Sequence, residues 1–388
     1  MTESLLQLDA EDASGARAGR LHMPSGPVDT PAFMPVATRG TVKAIWLEDV
    51  AALGYRLLLA NAYHLYLRPG VDRVSRAGGL HRFMRWPHHI LTDSGGYQVF
   101  SLAHMRKVEE AGVWFRSHID GSEHRLTPAD VVGNQLRLGS DLIMPLDVCT
   151  GVEAGRAEAE QALVTTHRWL QASVAAWRER PHERPNERRG QLFAIMQGHF
   201  DPELRRRSAA EVAAYQLPGN AVGGLSVGES REQLVEFMHL SVGLLPADRP
   251  RYVMGVGSPD YAVEAVASGA DMFDCVYPTR VARNGQALTD HGVVALKAAA
   301  VADSDEPILA GCSCRVCRGG YSRGYLRHLF NQNEIMAAVA TTLHNLSYMA
   351  DLMARMRSAI AAGTFVQFRR SFLADYRRPG DGGDEHTR

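Results

Sequence analysis

Short apolar runs alternate with amphipathic stretches from Pro31 onwards, and this alternation limits the possible folds more than any other feature of the chain. Eight runs have the length and composition of buried strands: AFMPVA (32–37), RLLLA (56–60), HILT (89–92), DLIMPL (141–146), LFAIM (192–196), AVGGL (221–225), RYVMG (251–255) and DMFDCV (271–276). Helical patterns lie between them, at 47–53, 128–138, 156–180, 202–215, 231–245 and 259–268. Eight strands that alternate with helices predict an α/β fold, a (β/α)8 TIM barrel. A doubly wound sheet is the alternative, because periodicity alone does not show that a sheet closes.

Two of these helices begin with a hydroxyl residue followed by proline, at Thr127-Pro128 and Ser258-Pro259. A side-chain hydroxyl can accept a hydrogen bond from a free N–H group of the first turn, and proline fits the first helical position. We therefore expect Thr127 and Ser258 to cap these helices.

Several segments lie outside the alternation. Residues 3–30 combine short apolar pieces with turn signals and predict a small antiparallel entry sheet. Residues 98–126 predict a hairpin after the third strand, with Asp120-Gly121 as its turn. Residues 284–330 separate the eighth strand from the last helices. We expect one barrel domain over 1–377, followed by a disordered tail at 378–388 that is rich in glycine and charge.

The last of these segments, residues 284–330 (hereafter the third insertion), contains Cys312, Cys314 and Cys317, in the pattern C-x-C-x-x-C. Three thiolates and one imidazole satisfy the tetrahedral preference of zinc, and His328 and His344 both follow on a helical pattern. Unrelated reduced cysteines near a surface turn are the alternative, but this arginine-rich run is too polar to bury free thiols for packing alone. So short a polar segment lacks a core of its own, so we predict a zinc-stabilised subdomain at about 284–345.

Composition limits the class of protein without identifying a partner. The 388 residues, 45% of them hydrophobic, can form a large core, and the net charge of −1 does not indicate a nucleic-acid ligand. No apolar run has the roughly 18 residues of a membrane span, and the acidic N-terminus does not resemble a signal peptide. Cysteines in metal-binding spacing suit a reducing compartment, so we expect a cytoplasmic protein without a membrane partner.

The predicted strands end in polar residues, which matters because barrel enzymes place their active sites at the carboxyl ends of the strands. Asn61, Asp93, Asp147, Gln197 and Asp274 lie at or just after such ends. A single strand-end aspartate often only caps the next helix. Asp93 stands in DSGGY, where two glycines admit a ligand, and Asp274 stands in an apolar run, where a carboxylate is costly unless it is paired or takes part in chemistry.

Two carboxylates at one barrel mouth favour glycosidic chemistry, in which one is the nucleophile and the other an acid or base. Hydrolysis by a divalent metal is the competing interpretation. It usually requires histidines at the strand ends, and His64 and His199 do not form a paired ligand motif.

At this point the chain resembles a known family, the tRNA-guanine transglycosylases, and most closely their bacterial branch. The resemblance covers most of the chain and rests on strings that occur in the same order: PAFMPVATRGTVKA, NAYHLYLRPG, LTDSGGYQVFSL, AIMQG, AVGGLSVGE, YVMGVGSPD, MFDCVYPTRVARNG, the cysteine cluster and HNLSYM. Such enzymes exchange guanine at the wobble position of tRNAs with a G-U-N anticodon for a 7-deazaguanine, preQ1 in bacteria. The resemblance implies double displacement through a covalent ribosyl intermediate, and a homodimer.

The resemblance also implies roles for individual residues. Asp274 would be the nucleophile and Asp93 the general acid/base. The residues expected to bind the base are Asp93, Ser94, Gly95, Gly96, Tyr97, Asp147, Gln197, Gly224, Leu225 and Met254. Those expected to bind RNA are Gly255, Val256, Gly257, Ser258, Pro259, Asp260, Tyr261, Thr279, Arg280, Val281, Ala282 and Arg283. One structural Zn²⁺ would be held by Cys312, Cys314, Cys317 and His344, which favours His344 over His328.

The chain departs from the family pattern in two places. Val148-Cys149-Thr150-Gly151 replaces a stretch that usually has an acidic residue and a proline, and Ser258 stands where lysine is common. Val227 and Cys149 favour preQ1 over queuine as the incoming base. A non-catalytic RNA-binding partner subunit would lack the nucleophile, whereas Asp274 is present within FDCVYPTR. A relative that acts on DNA is the remaining alternative.

Overall fold

The computed structural model describes residues 4–98, 106–179 and 190–376. Its strands are β1 (Leu6–Glu11), β2 (Arg17–Leu21), β3 (Val28–Thr30), β4 (Ala32–Pro35), β5 (Leu57–Ala60), β6 (His89–Thr92), β7 (Arg106–Glu109), β8 (Gly112–Arg116), β9 (Glu123–Leu126), β10 (Leu142–Ile143), β11 (Gln191–Met196), β12 (Gly219–Val222), β13 (Arg251–Val253), β14 (Met272–Cys275), β15 (Gln286–Thr289) and β16 (Gly292–Ala295). Its helices are α1 (Leu47–Ala52), α2 (Ala62–Leu67), α3 (Val71–Arg76), α4 (Leu80–Met84), α5 (Pro128–Leu138), α6 (Arg156–Glu179), α7 (Pro202–Ala214), α8 (Arg231–Leu244), α9 (Pro259–Ala267), α10 (Tyr277–Arg283), α11 (Arg315–Arg318), α12 (Arg323–Asn331), α13 (Ile335–Ala361) and α14 (Phe365–Tyr376).

Eight parallel strands form the barrel, in the order β4-β14-β13-β12-β11-β10-β6-β5. A parallel bridge between Val36 and Leu59 joins β4 to β5, and the N–H of Ala37 donates to the carbonyl of Leu59 at 2.6 Å. The sheet is therefore closed on itself, which confirms the predicted barrel and excludes the doubly wound alternative.

Side chains fill the inside of the barrel, as the fold requires. Met34, Leu91, Phe193 and Tyr252 belong to this inner cluster and are almost fully buried. A larger cluster lies between the strands and the surrounding helices. Because the interior is packed, a ligand can enter only at the mouth.

All eight predicted strands are present, and three of them (β5, β6 and β11) end where predicted, whereas the other five end one to three residues early. DLIMPL yields only the two residues of β10, and β12 ends at Val222 rather than Leu225. The reason in β12 is conformational: Gly224 has φ +69°, which an extended strand does not allow. The apolar residues beyond these ends belong to the mouth of the barrel.

The two predicted helix caps differ. The hydroxyl of Thr127 accepts from the N–H of Asp130, and the carboxylate of Asp130 accepts from the N–H of Thr127, which is a capping box. The prediction for Ser258 is wrong, because its hydroxyl donates to Asp260 Oδ1 at 2.7 Å and makes no cap. A buried carboxylate two residues away captures the hydroxyl.

The first two accessory segments form antiparallel sheets. β1, β2 and β3 are the predicted entry sheet. β7, β8 and β9 form a three-stranded sheet rather than a single hairpin, and Asp120-Gly121 makes the turn between β8 and β9 as predicted. Part of this insertion, residues 99–105, lies outside the described residues.

The third insertion begins with the hairpin of β15 and β16 and continues through α11 and α12 to the long helix α13. Its buried residues Leu288, Leu326 and Phe330 belong to the same hydrophobic cluster as the outer helices of the barrel. The segment therefore packs on the barrel through a shared core. The tail at 378–388 lies outside the described residues, and the extent of the domain stays a prediction. None of the described helices is long and apolar enough to cross a membrane.

Candidate active site and metal centre

Asp93 lies immediately after β6 and is held by the start of α2. Asn61 Nδ2 donates to Asp93 Oδ2 at 2.5 Å, and the N–H of Ala62 donates to Asp93 Oδ1 at 2.9 Å. Both donors come from the carboxyl end of the neighbouring strand β5. Burial and, to a smaller extent, the negative charge of Asp274 raise the pKa of Asp93 to about 6 against these two hydrogen bonds.

Asp274 lies in β14 and is also buried. The hydroxyl of Tyr252 donates to Asp274 Oδ1 at 2.6 Å, and the N–H of Gly255 donates to the same oxygen at 3.2 Å. Burial raises the pKa of Asp274, whereas these two hydrogen bonds lower it. The electrostatic effect of Asp274 on Asp93 means that the two carboxylates share one low-dielectric site, as the strand-end pattern predicted.

A third carboxylate, Asp147, follows β10 and forms a polar group with two neighbours. Gln197 Nε2 donates to Asp147 Oδ2 at 2.7 Å, and Ser94 Oγ donates to Asp147 Oδ1 at 3.2 Å. Burial raises the pKa of Asp147 against these bonds. Gly96 lies directly against this carboxylate, since a Cβ there would be 2.9 Å from Asp147 Oδ1. The structure thus brings together Ser94, Gly96, Asp147 and Gln197.

The glycine pair after β12 lies on the other side of Gln197. A Cβ on Gly223 would be 2.6 Å from Gln197 Nε2, and one on Gly224 would be 2.4 Å from Gln197 Oε1. Only glycine allows the backbone to approach the carboxamide this closely. The backbone of Gly224 and Leu225 therefore adjoins the group formed by Asp147 and Gln197.

Tyr97 and Met254 differ in exposure. The side chain of Tyr97 is 50% exposed, although the preceding residue, Gly96, lies directly against Asp147. Met254 is half-buried and packs against the inner cluster of the barrel. An exposed tyrosine ring at a mouth lined with carboxylates is available to stack on a ligand.

The residues predicted to bind RNA form two short segments at the rim, one before and within α9 and one in α10. Gly255 and Arg280 are exposed, and Tyr261 and Arg283 are half-buried. The remaining predicted residues are buried: Val256, Gly257, Ser258, Pro259, Asp260, Thr279, Val281 and Ala282. Asp260 forms an ion pair with Arg231, so the side chains available to a polyanion here are the two arginines.

Two further cations adjoin these arginines and were missed in the sequence. Arg39 and Lys43 are exposed in the loop after β4. The pKa of Lys43 is lowered by partial burial and by the charges of Arg283 and Arg39. Arg39, Lys43, Arg280 and Arg283, hereafter the basic cluster, therefore share one side of the mouth. The sequence feature that could have identified Arg39 and Lys43 is their position just beyond the carboxyl end of a predicted strand.

Tyr252 was also missed, because an aromatic residue within a predicted strand is typical of barrel core. Cys149 and Cys275, by contrast, are poorly suited to act as thiolate nucleophiles. Burial raises the pKa of the Cys149 thiol to about 12 and that of Cys275 to about 11, so both are protonated near neutral pH.

Cys312, Cys314, Cys317 and His344 form the only cluster with metal-ligand geometry among residues 4–98, 106–179 and 190–376. The three Sγ atoms lie 3.8, 3.6 and 3.5 Å from His344 Nδ1. Zinc–sulfur and zinc–nitrogen bonds of roughly 2.3 and 2.0 Å make a tetrahedral edge of about 3.5 Å, so the donor set fits zinc. His344 Nε2 donates to the carbonyl of Leu288 at 2.8 Å, which leaves Nδ1 free for the metal. His328 is exposed on α12 and is not part of the cluster.

Among known protein families, the family model described as queuine tRNA-ribosyltransferase matches residues 12–378. The queuine tRNA-ribosyltransferase of Symbiobacterium thermophilum is 49% identical over 366 residues, which cover 94% of this chain and 90% of that protein. Those of Moorella thermoacetica and Ruegeria pomeroyi are each 47% identical, over 95% and 96% of this chain and 96% and 97% of theirs. The chain therefore belongs to the queuine tRNA-ribosyltransferase family, which confirms the resemblance noted in its sequence.

Proposed function

We propose that this protein exchanges guanine at the wobble position of tRNAs with a G-U-N anticodon for preQ1, by double displacement through a covalent enzyme–ribosyl intermediate. The observation that carries the proposal is the pair of buried carboxylates at the ends of β6 and β14. The arrangement suits replacement of a base with retention at C1′, which requires two inversions and hence a carboxylate nucleophile.

Asp274 is the nucleophile in this proposal. Tyr252 and Gly255 both donate to Oδ1, so the attack on C1′ is assigned to Oδ2. Burial raises the pKa of this carboxyl group, and the two hydrogen bonds oppose that rise and so favour the ionised form that a nucleophile needs. Attack of Oδ2 on C1′ breaks the glycosidic bond and transfers its electron pair to guanine.

Asp93 is the general acid/base. A pKa of about 6 lets the group both give and take a proton near neutral pH. It protonates the departing guanine and then takes a proton from the incoming base, whose nitrogen displaces Asp274 from C1′. Asn61 and Ala62 orient the carboxyl group for both steps.

The group formed by Asp147 and Gln197 binds the edge of the base. Each carboxylate oxygen can accept more than one hydrogen bond, so Asp147 can accept from the N1–H and amino group of guanine or preQ1. The amide donors of Gly224 and Leu225 face the base carbonyl, and Tyr97 and Met254 enclose the two faces of the extruded base. Val227 and buried Cys149 favour preQ1 as the incoming base.

The basic cluster supports binding of the anticodon loop. Four cations on one side of the mouth supply local positive charge to a chain whose net charge is −1. We place the RNA backbone there, which extends the predicted RNA-binding set by Arg39 and Lys43. The subunit arrangement is proposed to be a homodimer.

Replacing the nucleophile is the first test. Asp274→Ala should abolish incorporation of labelled guanine into tRNA, because no covalent intermediate can form. A denaturing gel of enzyme, tRNA and a slow base analogue should give a protein–RNA band for wild type and none for the variant. Asp248→Ala, at an exposed aspartate, is the matched control and should behave as wild type. Wild-type turnover in Asp274→Ala would show that the nucleophile is another group, and exchange into DNA instead of tRNA would favour the DNA-acting alternative.

Tyr252→Phe should lower kcat about 10- to 100-fold, since a hydrogen bond to a charged group contributes roughly 1.5–3 kcal/mol. Without the hydroxyl the pKa of Asp274 rises further, so the acidic limb of the pH–kcat profile should move to higher pH. Exchange assays from pH 5 to 9 measure both effects. An unchanged acidic limb would mean that Tyr252 does not control ionisation of the nucleophile.

Asp93→Asn should abolish exchange and raise stability in a pH-dependent way. The pKa of Asp93 rises on folding from 3.8 to about 6, so this group stabilises the fold fully below the lower value and loses that effect as pH rises through the upper one. The neutral amide escapes this loss. The variant should therefore gain up to about 3 kcal/mol at pH 8 and roughly half of that at pH 5. Urea unfolding at both values measures the difference, and a gain independent of pH would contradict the pKa assignment.

Zinc is the metal proposed for the cysteine cluster. It would link α11 and α13, and with four protein ligands it has no open position for a substrate. His344→Ala should reduce bound zinc from one equivalent to none and should abolish tRNA binding, measured by metal analysis and filter binding. His328→Ala is the matched control on the exposed face of α12. Normal tRNA binding by folded, zinc-free protein would rule out this role.

A further inference from the structure

Arg205 is completely buried in the first turn of α7, and no role was assigned to it from the sequence. No carboxylate within the described ranges lies within ion-pair distance of its guanidinium. Burial lowers the pKa of Arg205 to about 10, which leaves the group cationic at neutral pH. The negative charge of Glu229 opposes this lowering of the pKa, but a buried guanidinium that no carboxylate contacts is costly unless its N–H groups are hydrogen-bonded.

Backbone carbonyl groups surround the guanidinium. Nη1 donates to the carbonyl of Gly223 at 2.8 Å and Nη2 to that of Gly224 at 3.2 Å. Nε donates to the carbonyl of His199 at 2.8 Å. The rigid fork of arginine thus holds two successive carbonyl groups of the loop that adjoins Gln197.

These contacts determine where the next two N–H groups point. The only cis peptide bonds among the described residues precede Pro31 and Pro69, so the peptides after Gly223 and Gly224 are trans. In a trans peptide the C=O and N–H groups point in opposite directions. Because the carbonyls of Gly223 and Gly224 point to Arg205, the N–H groups of Gly224 and Leu225 point away from it.

A second group fixes the following two peptides. Glu229 accepts from the N–H of Ser226 at 2.5 Å and from that of Val227 at 2.8 Å. Gly224 and Ser226 have φ of +69° and +58°, a left-handed conformation that costs free energy for serine. The loop is therefore held in an unusual conformation from two sides.

We propose that Arg205 is a positioning residue that determines base specificity. By holding the carbonyls of Gly223 and Gly224 it turns the N–H groups of Gly224 and Leu225 towards a carbonyl on the base. This inference rests on the proposed function, in which those N–H groups face the base.

The buried charge adds an electrostatic effect. Negative charge moves onto the base carbonyl as the glycosidic bond breaks, and donors preorganised in a dry site stabilise such charge strongly. A cation behind two N–H donors favours a 6-oxo purine, whose carbonyl accepts from them. It disfavours a 6-amino purine, because the N–H groups of that base would face the N–H groups of the loop. Arg205 should therefore increase the preference for guanine over 2,6-diaminopurine.

The test compares Arg205→Lys and Arg205→Met with the same changes at Arg206, the exposed neighbour on α7. The readouts are kcat, KM for guanine, KM for tRNA, and the ratio of inhibition constants for 2,6-diaminopurine and guanine. Arg205→Met should raise KM for guanine at least about tenfold and reduce the ratio by a similar factor, with KM for tRNA within about twofold of wild type. Arg205→Lys keeps the positive charge but loses the forked guanidinium, so its KM for guanine and its inhibition ratio should lie between those of wild type and Arg205→Met. The Arg206 variants should match wild type.

A purely structural role would lower the melting temperature of both Arg205 variants and leave the inhibition ratio unchanged, and that result would overturn the proposal. If Arg205→Met does not fold, the ratio for Arg205→Lys decides. Calorimetric titration of each protein with guanine alone separates the two proposals. If wild type binds guanine but exchanges none into tRNA, the proposed function fails, while the comparison of binding by the Arg205 variants still tests this inference.

Discussion

The hydrogen bond from Tyr252 to Asp274 is the interaction on which the rest of the site depends. Burial in an apolar strand of a packed barrel raises the pKa of this carboxyl group, and the hydrogen bond from Tyr252 opposes that rise. Tyr252 can reach Asp274 because β13 and β14 are adjacent parallel strands: Tyr252 pairs with Met272, and Asp274 is the next residue of β14 on the same face. The hydrogen bond between the two groups offsets part of the cost of burying the tyrosine hydroxyl and the carboxylate. Barrel closure, which places β14 next to β4, then brings the loop with Arg39 and Lys43 to the same mouth.

The cysteine–histidine cluster is connected to this site through hydrogen bonds to the backbone. Asn345 follows the ligand His344 and is fully buried. Its Oδ1 accepts from the N–H of Leu288, and its Nδ2 donates to the carbonyls of Pro278 and Gln286. Pro278 belongs to α10, the helix that follows Asp274. His344 is therefore connected to the helix with Arg280 and Arg283 through Asn345, which follows His344 in the chain and donates to that helix.

Much of this architecture could be predicted from the sequence, because its signals are local. All eight barrel strands and the alternating helices follow from apolar periodicity, and the metal ligands follow from cysteine spacing and resemblance. Strand ends were predicted less well, because apolar residues at the mouth continue the strand pattern while the backbone bends away, as at Gly224. Ser258 fitted the capping pattern, but the nearby carboxylate of Asp260 is visible as a competitor only in three dimensions. Tyr252 was missed because its environment reads as core.

Arg205 shows the limit of such reasoning most clearly. It stands in LRRRSA, and three consecutive arginines on a helix indicate a solvated face. Arg206 and Arg207 are indeed exposed. Arg205 lies on the buried face of the helix, and its guanidinium contacts the loop after β12. The loop after β10 meets the same region: Thr150 Oγ1 lies 3.3 Å from His199 Nδ1, and a Cβ on Gly228 would be 3.5 Å from Val152. The unusual Val148–Gly151 stretch therefore contacts His199, whose carbonyl accepts from Arg205, and is connected in this way to the peptides after β12 that Arg205 holds.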